Sequence, residues 1–117
     1  MSEKRPVCVV LRQVPVSSLR NAEALRMSVG LTLAENDVTI VFVGNGVYTL
    51  LPIEPERLGA PEVDKHMETL GALGCRIVAE AEALEERGIQ ELAWSAERLP
   101  RAEVARLLEE AGAVITY

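Results

Sequence analysis

Four features of this chain carry residue types that could do chemistry: Gly44-Asn45-Gly46, the glutamates Glu80, Glu82, Glu85 and Glu86, the cysteines Cys8 and Cys75, and the lone histidine His66. Gly44-Asn45-Gly46 follows an apolar run. It is not the dinucleotide-binding fingerprint, because residue 49 is Thr where that motif has its third glycine. It reads either as a tight turn whose glycines supply positive φ, or as backbone that approaches a ligand or a partner subunit. The glutamates lie near an expected helix start, where the helix dipole favours carboxylates, so capping and solvation is their default role. A general base at Glu80 is the sharper alternative. A general acid/base histidine needs a partner within hydrogen-bond reach, and no motif in the sequence points to a catalytic one for His66, so it reads as a helix-surface histidine. His66 and two scattered cysteines make no zinc site.

Cys8 falls inside an apolar run, where cysteine behaves as a small hydrophobe. Cys75 opens a later run, and a reactive thiol needs exposure and a positive environment that this position does not promise. Both are expected to be structural, buried and inert. With no C-x-x-C pair they also fit a reducing compartment.

The elements that must position these residues alternate. Val7 to Leu11, Val38 to Val43, Cys75 to Ala79 and Ala113 to Tyr117 are short runs rich in β-branched residues, apolar on both faces. Such runs read as strands of a parallel sheet covered by helices on both sides. A weak fourth strand is expected around Ile89, Leu92 and Trp94. Ala22, Leu25, Val29 and Leu33 recur at helical spacing, and Asn36-Asp37 is expected to end that helix. Val63, Met67 and Leu70 mark a second long helix, Glu80 to Arg87 a short one closed by Gly88, and Val104, Leu107, Leu108 and Ala111 a last one opened by Pro100. An irregular segment with Pro52, Pro55 and Pro61 follows the glycine turn. The order β-α-β-α-β-α-β-α-β predicts a three-layer α/β fold: a central, mostly parallel sheet of about five strands with helices on both faces. Val9, Val10, Ile40, Val41, Val78 and Val114 are expected to be buried.

In open sheets of this kind, sites lie beyond the carboxyl ends of the strands. That places a candidate ligand crevice at Gln13, Gly44, Asn45, Gly46, Tyr48 and Glu80. Glu80 should end the third strand and open a helix, with its carboxylate near that helix's free N–H groups.

The chain has 117 residues, a formal charge of −6 and 49% hydrophobic residues. That suits one domain, 1–117, with a sizeable core, and excludes disorder. The acidic balance, with no dense Lys/Arg cluster, argues against nucleic-acid binding. No apolar run approaches the length of a membrane span, and Val7 to Leu11 is too short for the core of a signal peptide. A cytoplasmic protein without metal or cofactor is expected.

Three segments together resemble the DsrE/DsrF-like (TusD/TusC-like) sulfur-relay family. They are Val9 to Pro15 followed by the helix Asn21 to Leu33, Val41 to Tyr48, and Leu73 to Glu80 running on to Arg87-Gly88-Ile89; the end, Ala113 to Tyr117, is similar as well. In members that carry sulfur, a cysteine stands at the end of the third strand, before the short helix that leads into Arg-Gly. Counting back from Arg87-Gly88, the resemblance puts Glu80 in that slot and leaves Cys75 about five residues too early. Asn45 stands where an acidic residue is common. A carboxylate cannot form a persulfide, which requires a thiolate. The resemblance therefore implies an assembly or binding subunit without its own sulfur-carrying cysteine, serving a sulfur-relay protein partner. The alternative is a small-ligand binder or enzyme that uses Glu80 as polar anchor or base. The resemblance also implies a homo-oligomer, a trimer or hexamer. The apolar run Val47, Tyr48, Leu50, Leu51 and Ile53 is expected to be exposed and to contribute to its interface.

Overall fold

The computed structural model describes residues 5–12, 20–51 and 60–117. Strands β1 (Arg5–Leu11), β2 (Asn36–Phe42), β3 (Arg76–Glu80), β4 (Glu97–Leu99) and β5 (Ala113–Thr116) alternate with helices α1 (Arg20–Leu33), α2 (Ala60–Ala72), α3 (Ala81–Glu86) and α4 (Arg101–Glu110), and a 3-10 helix spans Gly44–Leu50. The strands form one sheet in the order β4-β3-β2-β1-β5, and every pairing is parallel.

Alternation along the strands divides the core in two. Val7, Val9, Leu11, Val38, Ile40, Phe42, Ile77 and Ala79 face the helices α1 and α2, where they meet Ala24, Leu25, Met67 and Leu70. Val10, Val41 and Val78 point the other way, onto Val104 of α4 with Leu107 and Leu108 at its margin. The first cluster is by far the larger, with Phe42 among its fully buried side chains. At the typical loss of about 3–5 kcal/mol for a buried Phe cut to Ala, Phe42 alone represents a large share of the stability of a small domain.

Five of the six residues expected to be buried are so; Val114 is 44% exposed. The cause is the thinness of the second face. That face carries a ten-residue helix, α4, whose buried contact is Val104 over the central strands. β5 is an outermost strand, and it packs through Ala113 and Ile115 on the opposite face instead. Leu33, assigned to the apolar stripe of α1, is 66% exposed. It lies eight residues beyond Leu25, about 80° further round an ideal helix. Ser28 takes the buried position, its hydroxyl donating to the Ala24 carbonyl at 2.8 Å, so no polar group is stranded there. Asn36-Asp37 opens β2 rather than lying outside it, while the Asn36 side chain donates to the Leu31 carbonyl at 2.9 Å and so also caps α1. The fourth strand is Glu97–Leu99, not the stretch around Ile89, Leu92 and Trp94. Those three side chains pack on the core from irregular backbone, so apolar spacing there recorded burial without pairing.

The expected irregular, exposed segment after the glycine turn is also corrected. Val47 and Leu50 are fully buried and Tyr48 and Leu51 half-buried, all packed on the main cluster. The 3-10 helix tightens the chain enough to fold these side chains inward. The run therefore does not supply an exposed interface; Ile53, with Pro52 and Pro55, lies outside the described residues.

Two glycines make this turn possible for different reasons. Gly44 takes φ +52°, the left-handed region. Gly46 has no unusual φ, but a Cβ there would sit 2.0 Å from the Leu11 carbonyl oxygen and 2.6 Å from its carbon. The obstacle is backbone at the end of β1, an interior strand, which cannot rotate away. Gly46→Ala is expected to destabilise the protein by about 3 kcal/mol or more or to prevent folding. The Gly30→Ala control, on α1 where nothing lies within 4 Å, should be neutral or stabilising. Urea denaturation of the two variants checks the contrast.

Candidate functional site

Glu80 ends β3 and precedes α3, as the pattern required. Its position on the strand turns the side chain to the face that carries Val78 and α4, and it is only 7% exposed. A buried carboxylate needs a counter-charge and hydrogen bonds. Oε1 accepts from the Gly44 amide at 3.3 Å, and Oε2 pairs with Arg101 Nε at 2.8 Å. The expectation that the carboxylate would cap α3 is wrong. Glu80 is the N-cap residue by backbone position, yet its side chain makes no cap hydrogen bond. The guanidinium of Arg101 offers a full charge, and that outweighs the partial charge of a six-residue helix.

Arg101 gathers the glutamate cluster. Its backbone N–H donates to Glu82 Oε1 at 2.8 Å, which caps the first turn of α4, and its second guanidinium nitrogen reaches Glu86 Oε1 at 3.4 Å. The hydrogen bond to Glu80, then the Glu80 charge, hold the guanidinium above its ordinary pKa. Glu82 and Glu86 are thus members of a network and not only solvated charges.

Asn45 and Tyr48 form a second, adjoining group around Arg87. Asn45 Oδ1 accepts from Arg87 Nε at 3.3 Å and from a terminal nitrogen at 2.9 Å. The Arg87 guanidinium also donates to the Ala83 carbonyl at 3.0 Å and lies 5.8 Å from the centroid of the Tyr48 ring, a cation–π contact. Gly88 makes this possible. With φ +65° it stops α3, while Ile89 N–H bonds back to the Leu84 carbonyl at 2.9 Å. Glu86 links the two groups, 3.7 Å from Arg87 and 3.4 Å from Arg101.

Of the expected crevice residues, Gly44, Asn45, Gly46, Tyr48 and Glu80 do come together at the carboxyl ends of β2 and β3. Gly46 serves the close approach to Leu11 and Asn45 binds Arg87. Gln13 lies outside the described residues. The residues missed were Arg101 and Arg87. A signal for Arg101 was present: a cation in the first turn of a helix opposes the helix dipole, and such a placement asks for carboxylates elsewhere.

The thiols lie at the other end of the sheet. Cys8 is buried, and burial pushes its pKa up, against a smaller opposing effect of Arg76. Cys75 is half-buried rather than fully buried as expected, and its thiol donates to the Val38 carbonyl at 3.0 Å. Burial pushes its pKa up to about 11. His66 is half-buried on α2. Among the described residues no group of three or more His, Cys, Asp or Glu could hold a metal, and no helix is long and apolar enough to cross a membrane.

The Cys75 environment has a measurable consequence. A pKa moved from 9.0 to about 11 leaves about 100-fold less thiolate at pH 8. Alkylation by iodoacetamide at pH 8 should be slower than that of an unfolded control by at least that factor. Because the folded state holds this proton more tightly, stability should be flat below pH 8.5 and fall between about pH 9 and pH 11. Cys75→Ser should remove the Cys75 share of that loss and leave the share of Cys8, whose pKa burial also raises, and denaturant midpoints across that range read the difference.

Comparison with known proteins places this arrangement. The crystal structure of the YchN protein from E. coli is similar, with a TM-score of 0.84 and 20% sequence identity over 97% of this chain and 99% of that one. At that identity the likeness concerns the fold: a five-stranded parallel sheet with helices on both faces. No curated protein matches the chain in sequence. The model of the DsrE/DsrF-like family matches residues 5–117. From that match over nearly its whole length, the chain belongs to the DsrE/DsrF-like family.

Proposed function

We propose that this chain is a sulfur-relay-related subunit of its family that carries no sulfur itself. In this reading Glu80 occupies the slot of the sulfur-carrying cysteine, and the protein acts by assembly or binding beside a relay partner that has the thiol. The observation that carries the reading is chemical. The strand-end position holds a carboxylate engaged on both oxygens, by Gly44 and Arg101. A carboxylate has no sulfur to be sulfurated, and a persulfide forms only on a thiolate. The two cysteines, Cys8 and Cys75, sit at the opposite end of the sheet with raised pKa values. The reading includes a single domain over 1–117, a cytoplasmic location and a homo-oligomer of three or six chains. The exposed Val114 on the thin face of the sheet is compatible with such contacts.

The alternative, in which Glu80 is the anchor or base of a small-ligand site, requires an available carboxylate oxygen. Glu80 is only 7% exposed and is covered by Arg101, so a ligand would have to displace that guanidinium to reach it, which counts against this reading.

Incubation with a cysteine desulfurase and cysteine, followed by mass spectrometry, tests the reading. The wild-type chain should gain no sulfur atom of about 32 Da on either cysteine. Glu80→Cys should gain one there. A persulfide mapped to Cys75 or Cys8 of the wild type would overturn the proposal.

A further inference from the structure

Glu80 can be separated from the groups that hold it. Gly44 presents its amide because its left-handed φ turns the chain immediately after β2. Arg101 presents its guanidinium because Glu82 fixes its backbone N–H at the start of α4. These two anchors are made without Glu80, and Glu86 holds a terminal nitrogen of the guanidinium at 3.4 Å as well. Between these two donors lies a space filled by one carboxylate, 3.3 Å from the amide and 2.8 Å from the guanidinium, with each oxygen taking one donor. The Glu80 side chain is 9% exposed, while that of Arg101 is 58% exposed. The anion is therefore the enclosed member and the cation its cover.

We propose that the Gly44 amide and the Arg101 guanidinium form a seat for a small monoanion at the carboxyl end of β3, and that in the native chain residue 80 fills it from within. What Glu80 carries beyond its Cβ is a CH2–COO⁻ group, the skeleton of acetate. The seat accordingly takes a small monocarboxylate, held at two points, once residue 80 is cut back to its Cβ. The native protein takes no external anion there, because its own carboxylate is tethered at high effective concentration. This goes beyond the proposed function: it concerns the donors and stands whether or not the family's thiol once occupied the same place.

The test is occupancy of the seat by free acetate in Glu80→Ala. The melting temperature is measured against sodium acetate, with sodium chloride at equal ionic strength as reference. Acetate should raise it with the logarithm of its concentration above the dissociation constant, by about 5 °C at tenfold over that constant. Wild-type protein should respond to both salts alike, and the double variant Glu80→Ala/Arg101→Ala should lose the acetate response. If Glu80→Ala does not fold in chloride, refolding yield is read instead, and recovery in acetate alone supports the seat. Equal behaviour in both salts, by either readout, overturns it, as does an acetate response that survives loss of Arg101. The sulfur assay fails independently: a persulfide on Cys75 would reject the assembly-subunit reading and leave the seat in place. Absence of an acetate effect would reject the seat alone.

Discussion

A carboxylate buried at the end of a strand is the constraint around which the functional end of this fold is arranged. Left alone in that position, Glu80 would be strongly unfavourable. Its compensation draws in three parts of the chain: the turn after β2 through Gly44, the start of α4 through Arg101, and α3 through Glu82 and Glu86, which hold Arg101 in turn. α4 is otherwise anchored by a small apolar cluster with Val104 its buried contribution. The Glu82 contact to the Arg101 backbone N–H holds the start of α4, and the ion pair adds one more tie to the sheet. Its donors come from elements far apart in sequence, so the network forms only once β2, β3 and α4 are assembled.

The same sheet keeps two kinds of chemistry apart. A strand advances about 3.3 Å per residue, so Cys75 and Glu80 stand roughly 16 Å apart along β3. The amino end has the thiols, buried or half-buried beside backbone carbonyls, together with the exposed Arg76–Glu97 pair at 2.6 Å that ties β3 to β4. The carboxyl end has the carboxylate, two arginines and the glycine turn. The thiols are unactivated because burial outweighs the one arginine beside them: Arg76 acts on Cys8 only as a smaller opposing effect and is itself paired with Glu97, while Arg87 and Arg101 are engaged at the other end.

Gly46 explains how the glycine turn serves the site. Its contact with the Leu11 carbonyl seats the 3-10 helix directly on the end of β1, and the Val43 amide donates to the same carbonyl at 3.1 Å. Burial of Val47 and Leu50 then locks the turn to the main core. Gly44 and Asn45 are thereby rigid elements of the scaffold, presenting one amide and one side-chain carbonyl in fixed directions. The family-level fold and the local chemistry meet in this turn. The turn finds its partners there, Glu80 through the Gly44 amide and Arg87 through the Asn45 side chain.

The sequence by itself determined the order of the elements, the parallel sheet and the strand-end positions of Glu80 and the glycine turn. Each of these follows from local patterns: β-branched runs, helical spacing, and glycines at the ends of elements. It placed Glu80 at the close of β3, since the run Ile77-Val78-Ala79 ends there whatever the rest of the chain does. Patterns of that kind cannot report which helix reaches over which strand. That Val114 is exposed depends on how far α4 extends, and that Val47 and Leu50 are buried depends on a close approach between residues 11 and 46. The fourth strand was misplaced because apolar spacing records burial, while pairing of Glu97–Leu99 with β3 depends on the edge that β3 offers. The partner of Glu80 was decided by tertiary structure alone. Arg101 is 21 residues away in sequence, and only the β3-β4 pairing and the turn into α4 bring its charge to 2.8 Å from that carboxylate.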